Sequence, residues 1–139
     1  MGRRLNNDWE ANEAGDELAG TLTDAMIVPA TRWGDVVVAI ITEDGTGIKY
    51  GLWLSRKVLV SKFNEVRPAP GSLIVVLYKG TKVSKAGYEY HDYVMIASDT
   101  MPPTGELWID DFLRTSVENR VEARVAATAE QPEHPELFT

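Results

Sequence analysis

The order of strand-like and helix-like patterns is what most constrains the fold of this sequence. Five stretches show the alternating or continuous apolar pattern of strands. Between the third and the fourth, Leu59, Phe63 and Val66 are spaced by four and three residues, which is the period of a short helix. A Pro-Ala-Pro-Gly run ends that segment. The predicted strands cover residues 18–28, 36–42, 48–55, 73–78 and 88–97.

Local chemistry refines these elements. Gly20 predicts a bulge or bend within the first strand. Residues 36–42 are β-branched or apolar throughout, as expected of a strand that is buried on both faces. The Asp-Gly pair in residues 43–47 predicts a hairpin. Residues 29–35 and 79–87 are predicted to be loops, the second of them basic.

This element order predicts an all-β protein with helical additions: an OB-fold, a five-stranded Greek-key barrel with a helix between strands three and four. A barrel would protect the edges of apolar runs that could not face water. An SH3-like barrel or an irregular sandwich is the alternative, but neither requires a helix at that place.

The flanking segments extend the predicted domain, which covers residues 18–99. Residues 1–17 are interpreted as a flexible acidic arm, 100–128 as a linker and a C-terminal amphipathic helix, and 129–139 as a flexible acidic tail. The helix carries an apolar residue at every fourth position from Ile109 to Val125. That stripe must be covered by the chain's own barrel or by a second subunit, and a homo-oligomer is expected.

The net charge of −7 is unevenly distributed. Residues 1–17 have a net charge of −3, residues 18–99 of +1 and residues 100–139 of −5. The central domain can therefore carry a basic surface even though the whole chain is acidic, because the local field matters more than the total charge.

Several kinds of chemistry are disfavoured. The chain has no cysteine and two histidines, His91 and His134, so neither a metal site nor another cofactor is expected. His91-Asp92 could suggest a metal or acid–base dyad, but His91 is interpreted as a strand histidine that is hydrogen-bonded near the barrel end. Asp110-Asp111 are interpreted as acids in the first turn of a helix that oppose its dipole. Since no nucleophile–base pair or phosphate loop is present, we expect no enzyme. The sequence shows no secretory signal or membrane span, which predicts a protein of the bacterial cytoplasm or nucleoid, or of the host cytoplasm if phage-encoded.

The central region resembles the small OB-fold single-stranded-DNA-binding proteins of actinobacteria and their bacteriophages. The similar motifs include a Leu-x-Gly-Thr-like first strand, an apolar strand ending in Asp-Gly, Pro-x-x-Gly-Ser-x-Ile, Tyr-x-Gly and Gly-Tyr-x-Tyr-His-x-Tyr. They stand at residues 18–21, 36–45, 68–74, 78–80 and 87–93, with a strand-helix segment at 52–66. The resemblance implies sequence-tolerant binding of single-stranded DNA in replication, recombination or repair.

Binding of a single strand needs cations for the phosphates and flat rings on which bases stack. Aromatic and basic residues are interleaved in the two loops and on the third strand that would form the OB-fold ligand surface. The predicted binding residues are Arg32, Trp33, Lys49, Trp53, Arg56, Lys57, Lys79, Lys82, Lys85, Tyr88 and Tyr90.

Each group has a structural alternative. Trp53 shares a strand face with Lys49, which favours stacking, but it could instead cover the end of the core. Trp33 could fold back as a lid. The lysines of residues 79–85 could be a solvated hairpin tip, and Tyr78, Tyr88 and Tyr90 could lie partly in the core.

The C-terminus is similar to the acidic tip through which bacterial single-stranded-DNA-binding proteins recruit replication or recombination proteins. It departs from that tip because Thr139 follows Phe138 and no glycine-rich linker precedes it; a purely solubilising tail is the alternative. The predicted partner-binding residues are Glu133, Glu136, Leu137 and Phe138. The competing functional hypothesis is an OB-like protein-interaction or structural module, virion or regulatory, that binds no nucleic acid.

Overall fold

The computed structural model describes residues 7–32 and 34–130, which form one sheet and two helices. The strands are β1 (Asn7–Asp8), β2 (Glu17–Thr31), β3 (Gly34–Glu43), β4 (Lys49–Trp53), β5 (Leu73–Val83) and β6 (Glu89–Ala97). The helices are α1 (Lys57–Val66) and α2 (Trp108–Glu130).

The sheet is organised around β2, which is antiparallel to β3 along one edge and to β5 along the other. The strand order is β1-β4-β3-β2-β5-β6, and β1 pairs parallel to β4. The predicted all-β core of five antiparallel strands, with a helix after the third of them, is therefore confirmed. The sheet is open, with β1 and β6 at its edges.

Two predicted loops prove to be largely strand. Residues 29–35 were expected as a loop, but Thr31 still pairs with Gly34, so β2 and β3 form a long hairpin. Pro29 is accommodated at a register shift, where a missing backbone N–H breaks no ladder bond. Residues 79–83 likewise belong to β5, and a bulge before Gly80, whose φ is +90°, allows the strand to continue.

The core lies on the inner face of the sheet. Leu22, Ile41, Leu52 and Ile74 are buried there with Phe63 of α1. As predicted, β3 is buried on both faces, since its consecutive residues from Val38 to Ile41 are all buried.

The first turns of α2 close one end of this core. Trp108 is buried, its ring lies 4.8 Å from that of Phe63, and its indole N–H donates to the Pro68 carbonyl at 2.8 Å. The side-chain oxygen of Asn64 in α1 accepts the backbone N–H of Trp108 at 2.9 Å, which satisfies an otherwise unpaired donor at the helix start. Only the early part of the predicted apolar stripe is covered, because residues 117–128 are all exposed.

A buried ion pair fixes α2 to the end of α1. Arg67 adopts a left-handed conformation, φ 56°, and donates its guanidinium to the Asp111 carboxylate and to the Glu106 carbonyl. Thr104 and Arg114 also contact that carboxylate. Hydrogen bonds, first that of Thr104 and then those of Arg67 and Arg114, lower the pKa of Asp111 from 3.8 to about 2. Asp111 is therefore more than the dipole-opposing acid that the sequence suggested.

Within the part of the chain that the structure describes, neither helix is long and apolar enough to cross a membrane.

Candidate nucleic-acid interface

A cleft of about 290 Å³ lies between β4 and β6, the two strands that the sheet order leaves unpaired with each other. One wall comes from the acidic segment before β2, another from β4 and the start of α1, and a third from β6. The lining residues are Asp8, Trp9, Glu10, Ala11, Leu52, Trp53, Ser55, Arg56, Leu59, His91 and Tyr93.

Trp53 lies in this cleft and is half-buried. Its strand parity places it on the same face as Lys49, opposite the buried Leu52. The indole N–H donates to a carboxylate oxygen of Asp8 at 3.0 Å. Trp53 is therefore not a fully buried core residue, and its ring is not freely available for stacking either. An acid of the same chain already accepts the hydrogen bond of its indole N–H.

The acidic segment is held against the sheet rather than detached from it, which differs from the predicted flexible arm. The backbone N–H of Trp9 donates to the Gly51 carbonyl at 2.8 Å, next to the parallel pairing of Asp8 with Gly51. Further along, the N–H of Gly15 donates to the Tyr78 carbonyl at 2.8 Å. Residues 8–15 thus extend from Gly51 of β4 to Tyr78 of β5. From here on, the arm means these residues only.

Asp16 stabilises the turn that returns the arm to β2. Its carboxylate accepts the backbone N–H groups of Asn12 and Glu13 at 2.7 and 3.1 Å. These two bonds lower the pKa of Asp16, since they favour the ionised form.

The floor of the cleft beside β6 is aromatic. Tyr93 is buried, and its ring lies 5.1 Å from that of Tyr78. Burial raises the pKa of Tyr93, while the hydrogen-bonded guanidinium of Arg56 opposes that shift. His91 Nδ1 is 2.7 Å from the Tyr78 hydroxyl, in agreement with the interpretation of His91 as a hydrogen-bonded strand residue.

The β5–β6 hairpin forms a second surface. Lys82 pairs with Tyr90 across the two strands, so their side chains leave the same face of the hairpin. Tyr88 is 74% exposed and Tyr90 38% exposed, whereas Tyr78 is buried. The sequence left open whether these three tyrosines lie partly in the core, and of the three only Tyr78 does. The basic residues of this hairpin, all exposed, are Lys79, Lys82 and Lys85.

The predicted residues are therefore divided between two places. Trp53 and Arg56 line the cleft, and the three lysines with Tyr88 and Tyr90 lie on the hairpin. Lys49, Lys57 and Arg32 are exposed outside the lining of the cleft. The remaining predicted residues, Trp33, Glu133, Glu136, Leu137 and Phe138, lie outside the described residues.

The sequence-based prediction missed the arm residues Asp8, Trp9 and Glu10 and the floor residue Tyr93. A signal for the arm was present, because Trp9 is a large apolar residue between two acids in a polar stretch. Tyr93 closes the Gly-Tyr-x-Tyr-His-x-Tyr motif, in strand parity with the buried Met95.

Within residues 7–32 and 34–130, no group of three or more His, Cys, Asp or Glu side chains is arranged to hold a metal ion. Comparison of the chain with protein-family models, with curated proteins and with solved structures finds no match.

Proposed function

We propose that this chain is an OB-fold protein that binds single-stranded DNA with little sequence preference. The assignment of the fold is supported by the position of α1 between β4 and β5 and by the central place of β2 between β3 and β5. Strands β2 to β6 would then be the first to fifth strands of a partly open OB barrel. The resemblance of the central motifs points to the same class.

The observation that carries the functional proposal is the exposed pair of tyrosines opposite a lysine on the β5–β6 hairpin. Tyr90 lies across from Lys82, and Tyr88 lies nearer the turn. In the OB-fold this hairpin joins strands four and five, which is part of the ligand surface. Aromatic faces stack on unpaired bases whatever their sequence, and neighbouring ammonium groups neutralise the phosphates.

The cleft is the second part of the proposed interface. Trp53 supplies a half-buried ring, and the exposed Arg56 supplies a cation. Asp8 and Glu10 already line the same space, and their carboxylates would repel phosphates.

The pair Lys82 and Tyr90 lies on the outer face of β6, and His91 and Tyr93 of the cleft lie on the opposite face, so the hairpin and the cleft would be separate contacts. Single-stranded DNA would enter the cleft only when the arm is displaced. The acidic arm would compete with DNA for the cleft.

The proposal is tested by fluorescence anisotropy of labelled oligothymidylate at low salt, followed by a salt titration. We expect binding that weakens steeply as salt rises, because released counterions drive much of the affinity. A double variant, Lys82→Gln with Lys85→Gln, should weaken binding and flatten the salt dependence. Each single hairpin variant, Lys82→Gln or Lys85→Gln, is also compared with Lys62→Gln, which likewise removes one charge; Lys62 lies on α1 next to Glu65 and outside both surfaces.

Failure of the wild-type chain to change the anisotropy or the mobility of oligothymidylate at low salt would refute single-strand binding. Equal effects of the single hairpin variants and the Lys62 control would refute the hairpin as the binding surface.

A second candidate function is a protein-interaction module without nucleic-acid affinity. It is favoured by the outer face of β5 and β6, where Leu73, Val94 and Ile96 are 54%, 41% and 62% exposed. A contiguous group of exposed apolar residues is typical of a protein–protein contact. Retention on a single-strand DNA column separates the two candidates.

A further inference from the structure

The second half of α2 carries a stripe of valines that its own chain leaves in water. Val117, Val121 and Val125 are 49%, 56% and 62% exposed, and every residue from 117 to 128 is exposed. Valine is a weaker helix former than alanine or leucine, and a helix of this length gains most of its stability from tertiary packing. A partner on the valine stripe, here defined as these three residues, would supply that packing.

The charges beside the stripe are sorted by sign. With 3.6 residues per turn, Glu118 and Glu122 lie on one flank of the helix face centred on Val121. Arg120 and Arg124 lie on the opposite flank. The stripe therefore has an acidic side and a basic side.

This distribution of charge favours a second copy of α2 as the partner of the stripe, and it favours parallel over antiparallel pairing of the two helices. If two copies of α2 pair in parallel, the twofold axis runs along the helices, and the acidic flank of each copy faces the basic flank of the other. If they pair antiparallel, acid faces acid and base faces base, which is unfavourable.

We propose that this chain forms a homodimer through parallel, in-register pairing of the valine stripes of two α2 helices. Because both helices then start at the same end, the two sheets lie side by side at one end of a helical stalk. The inference is independent of nucleic-acid binding, since none of its residues lies in the cleft or on the β5–β6 hairpin.

Cysteine cross-linking tests the pairing directly, because the chain contains no cysteine of its own. In parallel register, Val117→Cys and Val125→Cys should each form disulfide-linked dimers with themselves under mild oxidant. Ala123→Cys is the matched control, since it is exposed on the opposite side of the same helix and should not cross-link. Dimers that form only when the Val117→Cys and Val125→Cys proteins are mixed would indicate antiparallel pairing and overturn the proposal.

The molar mass in solution tests whether the valine stripe stabilises the dimer. We expect a dimer for the wild-type chain by sedimentation equilibrium and a folded monomer for Val121→Glu, with the near-ultraviolet signal of the buried Trp108 kept. A monomeric wild-type chain, or an unchanged mass for Val121→Glu, would overturn the proposal. So would cross-linking of Val121→Cys to an Ile96→Cys chain in preference to itself, because the stripe would then dock on the outer sheet face.

Reversal of the charges on one flank of the stripe tests whether acidic and basic flanks pair across the dimer. A chain with Glu118→Arg and Glu122→Arg has two basic flanks, and one with Arg120→Glu and Arg124→Glu has two acidic flanks. Each should dissociate alone, and an equimolar mixture should form the mixed dimer. Full dimerisation of either chain by itself would show that the charges do not select the partner and would overturn that argument.

Discussion

The indole nitrogen of Trp53 and the carboxylate of Asp8 lie 3.0 Å apart, although the two residues are 45 positions apart in the chain. This bond occupies the polar edge of the indole with an acid of the arm. The bond links Trp53 of β4 to the acidic arm.

On the proposed single-strand binding function, the arm should oppose DNA binding electrostatically. Asp8→Asn with Glu10→Gln removes two negative charges from the cleft while keeping the shape of the side chains. We expect tighter binding of oligothymidylate at low salt, and a smaller gain at high salt because screening weakens the repulsion. Anisotropy titrations measure both.

The control is Glu13→Gln, an exposed acid of the arm outside the lining of the cleft, and it is compared with Asp8→Asn and with Glu10→Gln singly so that each variant removes one charge. An unchanged or weaker affinity of the single cleft variants relative to this control would contradict the competing role of the arm.

Trp53 variants should separate stacking from packing. Trp53→Phe removes the bond to Asp8 but keeps a flat ring, so binding should be kept or strengthened. Trp53→Ala removes the ring, and binding should weaken by about 1–3 kcal/mol, the value of one stacked base. Binding and urea denaturation are measured on the same samples. If Trp53→Ala loses stability but binds as well as wild type, the residue acts only in packing.

The ion pair that fixes α2 should make stability depend on acid. The pKa of Asp111 is lowered in the folded chain from 3.8 to about 2, so the ionised carboxylate stabilises the fold above pH 3.8, and that contribution is lost as the pH falls toward 2. Asp111→Asn should be less stable than wild type at neutral pH, because it leaves the buried Arg67 without its counterion. The difference in melting temperature should shrink across that window.

Asp110→Asn is the matched control for the acid series, since Asp110 lies exposed in the same helical turn. A difference between wild type and Asp111→Asn that stays constant from neutral pH to pH 2 would contradict the assignment of the ion pair.

Substitution of Gly20 by a larger residue should destabilise the fold, because the position has no room for a side chain. A Cβ at this position would lie 2.2 Å from the Thr42 carbonyl oxygen, because β2 and β3 approach closely there. Gly20→Ala should destabilise the fold by about 1–3 kcal/mol, as overpacking of this kind usually does. Gly45→Ala is the comparison: its φ is +88° with open space around it, so its cost comes from the backbone alone, about 1–2 kcal/mol. Equal stability of Gly20→Ala and wild type in urea would contradict this packing.

Much of the fold was readable from local patterns. The change of apolar period at Leu59 and Phe63 marks α1, and the continuous apolar run in β3 indicates burial on both faces. Strand ends were harder to predict, because β2 and β5 continue through residues with turn-like composition wherever a partner strand completes their hydrogen bonds. The sequence left open whether Tyr88 and Tyr90 lie partly in the core, and the structure exposes both. It did not predict that Trp53 shares its cleft with acids of the arm.

The sequence by itself determined the succession of the five antiparallel strands along the chain, the place of α1 and the amphipathic character of the helical segment, since each depends on spacings within one element. Tertiary structure alone decided that the arm lies along β4, that Asp111 joins Arg67, and that the valine stripe of α2 extends beyond the core. The physical reason is that these contacts join residues tens of positions apart. Their energies depend on which faces meet after the chain has folded, and no local period records that.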